Sequence, residues 1–271
     1  MEKDEYIYNE KATRRLKIKE IINNNLAGFA EFLHHIQKEL PDLMNKYMEE
    51  VISQCEINLD YGISIDSENE IYQKNPLLLN KSINKILNLL NYPKYQNSPI
   101  DEEVSVDVGD LVKTYTNFDY LQANSLLNVI SREEAINFIK DFITRHIKSL
   151  RNPDNYYNSL EDLIDYFKKI NKEWQAHKGT IMITDKDKMI LKINKCRWAE
   201  ELLQQGYDKE LCFSMMCYQD LVQVKNYNPE FTLTRTKTIM QGDNCCDCCY
   251  HDTRVNKNTN HPPPKFWESL G

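Results

Sequence analysis

A chain of 271 residues, 41% hydrophobic and 10% aromatic, has enough apolar mass for one large domain or two modest ones, which excludes wholesale disorder. Its formal net charge of −7 excludes an ordinary nucleic-acid binder, which needs a basic face to displace counterions from phosphates. No window reaches the roughly 18 apolar residues of a membrane span. The opening MEKDEYIYNE is acidic and has no apolar segment of secretory type, so the expected setting is cytoplasmic, with no membrane partner.

The first part reads as helical. From Glu20 to Cys55, Phe29, Phe32, Leu33, Leu40, Leu43, Met44 and Met48 fall close to a helical stripe, and Pro41 divides it. His34 and His35, being adjacent, point in different directions and read as helix-surface or groove residues. A polar, turn-rich stretch follows from Tyr61 to Glu70, then a short helix in KSINKILNLLNY. PKYQNSPIDEEVSVDVGD reads as a loop. Ser131 and Glu134 make a capping-box pattern for a helix whose apolar face is Ile136, Ile139, Ile143, Ile147 and Leu150. Asn152 and Pro153 end it. Ser159 with Asp162 starts another, which turns Leu160, Leu163, Ile164, Phe167 and Ile170 inward.

After Gly179 the texture changes. TIMITDKDKMILKIN predicts a hairpin around Asp185, Lys186, Asp187 and Lys188. KCRWAEELLQQGYDKELCFSMMCYQD predicts two short helices with a stop at Gly206. FTLTRTKTIM alternates, with Thr232, Thr234, Thr236 and Thr238 on one face and Phe231, Leu233, Arg235, Lys237 and Ile239 on the other, so it predicts a strand. Turn residues Gly242, Asp243 and Asn244 would return CCDCCYHD as its antiparallel partner. The expected fold class is α+β: a mainly helical part over 1–178, a small antiparallel sheet with short helices over 179–252, and a proline-containing tail over 253–271 whose Phe266 and Trp267 dock onto the body.

Seven of the eight cysteines lie between Cys196 and Cys249, and in a reducing cytoplasm they read as thiols or ligands rather than disulfides. The densest stretch is GDNCCDCCYHD, Gly242 to Asp252. Cys245-x-x-Cys248 and Cys246-x-x-Cys249 interleave two metal-type spacings, but a closed zinc site needs four ligands and no second CxxC is present. On a strand, Cys246 and Cys248 share one face while Cys245, Asp247 and Cys249 share the other, which does not wrap one ion. The expectation is therefore no metal and no obligatory organic cofactor, with zinc as the open alternative. Several of these cysteines then serve as small buried apolar residues.

Taken in order, Cys196, Cys217-x-x-Asp220, Asn228-Pro229, the Leu233–Thr238 stretch carrying Arg235-x-x-Thr238, and Gly242 leading to Cys246-Asp247 resemble the C-terminal part of the L-2-amino-thiazoline-4-carboxylic acid hydrolase family. One position departs: Cys248 stands where that family shows Phe after Cys-Asp. The resemblance implies hydrolytic opening of 2-aminothiazoline-4-carboxylate to N-carbamoyl-cysteine, by addition of water at the carbon between sulfur and nitrogen. Such chemistry needs a nucleophile or activated water, an acid for the ring nitrogen and a cation for the carboxylate. The implied roles are Cys217 and Cys246 as nucleophiles and Asp220 as orienting group or acid–base. Asp247 takes a separate catalytic job on the far face of its strand. Arg235 is the carboxylate clamp, Thr236 and Thr238 are hydrogen-bond donors around the ring, Cys196 contributes to substrate binding, and His251 is a candidate base. The partner is a small-molecule substrate, with homo-oligomerisation open. Two other readings share these residues: a ligand- or metal-sensing module of 4-vinyl-reductase type, and a biosynthetic tailoring enzyme on the same scaffold.

Overall fold

The computed structural model describes residues 3–57, 59–185 and 187–270. Its many helices, five-stranded antiparallel sheet and two-stranded sheet make the α+β class expected from sequence. Two compact units divide the chain: 13–142, and 143–271 together with 1–12. The composition change noted after residue 178 falls inside a strand of the second of these.

Chain order begins with β1 (Lys3–Tyr6), which belongs to the site-bearing unit. The unit over 13–142 then contains β2 (Thr13–Lys17), α1 (Ile18–Glu39), α2 (Met44–Gln54), α3 (Glu70–Lys74), α4 (Pro76–Leu89), β3 (Glu103–Asp107), α5 (Val108–Leu127) and the start of α6 (Arg132–Ser149). Ile18, Ile22, Phe29, Leu33 and Ile36 make the buried stripe of α1, which stops before Pro41; that residue opens a 3-10 turn, as expected of a side chain without an N–H. The stretch read as a loop is in part β3, paired antiparallel with β2 so that Thr13 faces Asp107 and Lys17 faces Glu103. Helix α5 carries no clean apolar stripe because Thr114, Thr116 and Ser125 sit on its buried face. Their hydroxyls donate back to the carbonyls of Asp110, Val112 and Leu121 at 2.6, 2.8 and 2.8 Å, which makes burial of these polar side chains tolerable.

The site-bearing unit continues with α7 (Leu160–Trp174), β4 (His177–Asp185), β5 (Lys188–Cys196), α8 (Arg197–Gln204), α9 (Lys209–Cys212), α10 (Tyr218–Tyr227), β6 (Phe231–Thr234), β7 (Cys246–Asp252) and α11 (Pro264–Glu268). Both predicted capping boxes form. Glu134 N–H donates to Ser131 Oγ at 3.3 Å and Ser131 N–H to Glu134 Oε2 at 3.0 Å, and Ser159 and Asp162 exchange the same pair of bonds before α7. The sheet runs β1-β4-β5-β7-β6, every neighbour antiparallel. The hairpin β4–β5 is as predicted, although Lys186 at its turn lies outside the described residues. One face of the sheet buries Ile181, Met189, Leu191, Ile193, Leu233, Cys248 and Tyr250 with Leu163 and Ile164 of α7. The opposite face buries Met182, Ile190 and Cys249 beneath Trp267 and Leu270, so the tail docks where its aromatic residues predicted.

The strand predicted over Phe231–Ile239 is shorter than its alternation suggests. β6 stops at Thr234, and Ile239–Gln241 forms a 3-10 turn closed by Gly242 at a φ of 103°, a conformation that suits glycine. Between them the Asp247 carboxylate accepts the N–H groups of Thr236 and Lys237 at 2.8 and 2.7 Å. A side chain thus replaces the ladder. Among the described residues no helix is long and apolar enough to cross a membrane.

Candidate active site

On the face of the sheet toward α7, the site-bearing unit encloses a cavity of about 280 Å³, close to the lower end of the ~300–1,000 Å³ typical of small-ligand pockets. Its apolar walls include Phe167 and Trp174 of α7, Leu191 of β5, Trp198 of α8 and Tyr250 of β7. Trp174 and Trp198 meet with ring centres 5.4 Å apart. Its chemistry is concentrated at Cys196, Cys217, Asp220, Arg235, Cys246 and Cys248.

Arg235 follows the last residue of β6, where release from the ladder turns its side chain under the cavity. Its guanidinium is almost fully buried. Nη1 donates to Asp220 Oδ2 at 2.8 Å, Nη2 donates to the Cys217 carbonyl at 2.7 Å, and the group lies 5.5 Å from the centre of the Phe213 ring. α9 and α10 are joined by a π-helical turn, Phe213–Cys217, a local widening of the helix often found at functional sites. Cys217 and Asp220 lie three residues apart at its exit and both line the cavity. Desolvation raises the Asp220 pKa, and the Arg235 charge and hydrogen bond oppose that rise.

Thr238 connects the two candidate nucleophiles. The Cys246 thiol lies 3.7 Å from the Thr238 hydroxyl, which in turn lies 4.0 Å from Cys217 Sγ. Cys246 Sγ also accepts the Ile239 N–H at 3.3 Å. Burial raises all four cavity thiols, Cys248 among them against the opposing charge of Arg235. Cys217 goes well above the usual range, with Asp220 adding to burial; Cys196 is pushed up to about 12; and Cys246 rises against the pull of the Ile239 N–H and Thr238 hydroxyl. The protein therefore holds these sulfurs as neutral thiols.

Thr236, Thr238, Asp247 and His251, also singled out from sequence, do not line this cavity. Asp247 is buried and accepts the Thr236 N–H and Lys237 N–H through Oδ1, and the Thr236 hydroxyl at 2.5 Å and His261 Nε2 at 3.1 Å through Oδ2. His251 Nε2 lies 2.9 Å from Thr234 Oγ1, and burial with help from Lys188 lowers its pKa to about 4. The structure thus gathers Cys196, Cys217, Asp220, Arg235 and Cys246 around one space, with Thr238 behind the sulfurs. Asp247, Thr236 and His251 stand in the supporting layer.

His177, absent from the sequence reading, lines the cavity from the start of β4, and burial lowers its pKa to about 4. It is an isolated histidine with no motif around it, and only the pairing of β4 with β5, which sets His177 opposite Cys196, brings it to the site. Trp174 and Trp198 were equally silent: helical spacing marks apolar faces, not which aromatic residue ends at a cavity. All eight cysteines are free, and among the described residues no group of three His, Cys, Asp or Glu side chains is placed to hold a metal ion. No match was found among curated proteins or among solved structures. Residues 118–250 match the family model described as L-2-amino-thiazoline-4-carboxylic acid hydrolase, and it is to this hydrolase family that the part of the chain carrying Cys217, Asp220, Arg235 and Cys246 is similar.

Proposed function

We propose that this protein is a hydrolase that opens a small carboxylated heterocycle of the 2-aminothiazoline-4-carboxylate kind, or cleaves a related C–N bond in a cyclic amidine. The observation that carries the reading is the Arg235–Asp220 pair set beside Cys217 and Cys246 at one small, largely apolar cavity. It joins a carboxylate receptor, a proton donor and two thiols where a planar ring can pack on Trp174 and Trp198.

The chemistry follows from the protonation states. A substrate carboxylate competes with Asp220 for the Arg235 guanidinium, whose planar fork suits either acceptor. Once a substrate carboxylate displaces Asp220 from Arg235 and fills the cavity, desolvation acts on Asp220 without that opposition and favours its protonated form. Asp220 is then the acid for the ring nitrogen, and protonation makes the carbon between sulfur and nitrogen electrophilic. Because the thiols are neutral, attack by Cys217 or Cys246 sends the S–H proton to the substrate as the new S–C bond forms, with Thr238 as the hydroxyl in reach of both sulfurs. The ring C–S bond breaks and the ring sulfur leaves as a thiol. Water then adds to the same carbon, the enzyme–sulfur bond breaks, and a carbamoyl group remains on the product. The net change is addition of one water.

The test is to incubate the purified protein with 2-aminothiazoline-4-carboxylate and follow release of a new thiol and formation of the carbamoyl product by mass spectrometry. Turnover that disappears in Arg235→Ala and in the Cys217→Ala/Cys246→Ala double variant supports the reading. Full turnover in Cys217→Ala, Cys246→Ala and Asp220→Asn would sink the assigned roles.

A further inference from the structure

Beyond residue 250 the chain leaves the family match, yet it returns to the site from behind. We infer that His261, in the C-terminal segment, is a positioning residue that acts through Asp247 on the 235–238 loop and so sets Arg235 and Thr238 in place. For its turnover arm this rests on the hydrolase reading above; its thiol arm does not.

The connection is continuous in hydrogen bonds. Asp247 holds the backbone of Thr236 and Lys237, the two residues between Arg235 and Thr238. Arg235 reaches Asp220 and the Cys217 carbonyl, and Thr238 reaches both sulfurs. The remaining donor to Asp247 Oδ2 is His261 Nε2, at 3.1 Å. His261 Nδ1 is 3.0 Å from Thr234 Oγ1, the last residue of β6 and the point where the loop begins. His261 therefore grips both ends of the turn out of the strand.

The protons in this chain have a direction. Asp247 accepts, so the His261 Nε2 that meets it carries a proton, and in the tautomer with a bare Nδ1 that nitrogen accepts from the Thr234 hydroxyl. Thr234 Oγ1 is then left to accept from His251 Nε2, 2.9 Å away. That puts a proton of His251 on Nε2, and among the described residues its buried Nδ1 has no partner.

The tail is braced to hold that histidine. His261 stacks on Trp267 with ring centres 5.2 Å apart and planes 16° from parallel. The indole N–H donates to the Pro262 carbonyl at 3.1 Å, and Lys192 Nζ donates to the Trp267 carbonyl at 2.8 Å. Three consecutive prolines, Pro262 to Pro264, remove φ freedom from the intervening backbone. Aromatic packing, fixed backbone and a half-buried imidazole against a buried carboxylate are what a supporting layer needs to hold a site in register.

The experiment compares wild type, His261→Ala, His261→Gln and Arg254→Ala. Arg254 ties the root of the same tail to Asp252 and the Asn158 carbonyl without touching Asp247, so its variant controls for loosened tail docking. Two quantities are read: kcat and KM on 2-aminothiazoline-4-carboxylate, and the rate at which iodoacetamide labels Cys217 and Cys246 in the native protein, mapped by peptide mass spectrometry. His261→Ala is expected to lower kcat by about tenfold to a hundredfold, as for a misplaced reacting group, and to speed labelling of Cys246 severalfold. His261→Gln, which can donate to Asp247 while accepting from Thr234, is expected to restore part of both. Labelling and kinetics in His261→Ala equal to wild type, or matched by Arg254→Ala, overturn the inference. A wild type without turnover overturns the substrate reading, and the labelling rates then decide the role of His261 alone.

Discussion

Arg235 and Asp220 meet at 2.8 Å with unequal burial: the arginine side chain is 4% exposed and the aspartate, which faces the cavity, 45%. The cation is thus fixed and the anion can exchange. Asp220→Asn removes the only carboxylate that Arg235 contacts among the described residues, and is expected to lower kcat by about 10²–10³ as a lost general acid, with a smaller effect on KM. Arg235→Lys keeps the charge but loses the fork that spans Asp220 and the Cys217 carbonyl. KM for a carboxylated substrate is expected to rise at least about tenfold and stability to fall by about 1–3 kcal/mol. Steady-state kinetics and urea unfolding of the two variants check both statements.

The buried thiols predict an unusual reactivity profile. At pH 7 native Cys217 and Cys246 should alkylate more slowly than thiols of the urea-unfolded chain, because each is held above the ordinary cysteine range by burial. Their rates should climb only as pH rises past the ordinary thiol value of 9, and that of Cys196, pushed up to about 12, only as pH approaches that value. Rapid labelling of Cys217 at neutral pH would contradict the mechanism drawn from neutral thiols.

Stability should also depend on pH with a definite sign. His177 and His251 are each lowered to about 4 from an ordinary value of 6.5. The unfolded chain therefore binds these protons first. Stability is full above about pH 6.5 and is lost as pH falls toward 4, by about 3 kcal/mol for buried His251 on the size of its shift. At the alkaline end, Cys196, raised to about 12, contributes stability that is present below the ordinary thiol range and lost as pH rises through 12. Urea midpoints between pH 4 and 7.5 test the acid limb, and His251→Gln should flatten it.

Gly179 is a steric requirement of the sheet. It lies at a bulge between β4 and β5, and a Cβ there would come within 2.1 Å of the Lys192 carbonyl oxygen. Gly179→Ala is expected to cost roughly 1–3 kcal/mol or more, as overpacking does, and to shift His177 away from Cys196. Thermal unfolding reads the first effect, and native labelling of Cys196 the second.

Much of this was legible in the residues. The capping boxes at Ser131 and Ser159, the hairpin before Cys196 and the strand pairing of the cysteine segment follow from local chemistry and periodicity. So does the sorting of Cys246 and Cys248 from Cys249 onto opposite faces of β7. Helix α5 hid because threonine, asparagine, glutamine and serine interrupt the apolar residues of its buried face, and β3 because two valines make too short a pattern. The full-length Thr-faced strand was a misreading of sound alternation: the Asp247 carboxylate outcompetes the ladder for the N–H groups of Thr236 and Lys237.

The sequence by itself determined the α+β class, the helix starts, and the spacing that sets Cys217 near Asp220, since these depend on residues a few positions apart; that Arg235 lies beyond the end of its strand was decided by Asp247, from a distant segment. Only the tertiary structure decided which side chains share a cavity. Tyr6 comes opposite Gly179, His177 opposite Cys196, and His261 beneath Asp247 through pairing and docking between distant segments. Periods of 2 and 3.6 residues report which face of an element is buried. They carry no information on what that face meets, because that is settled by the packing of the whole unit.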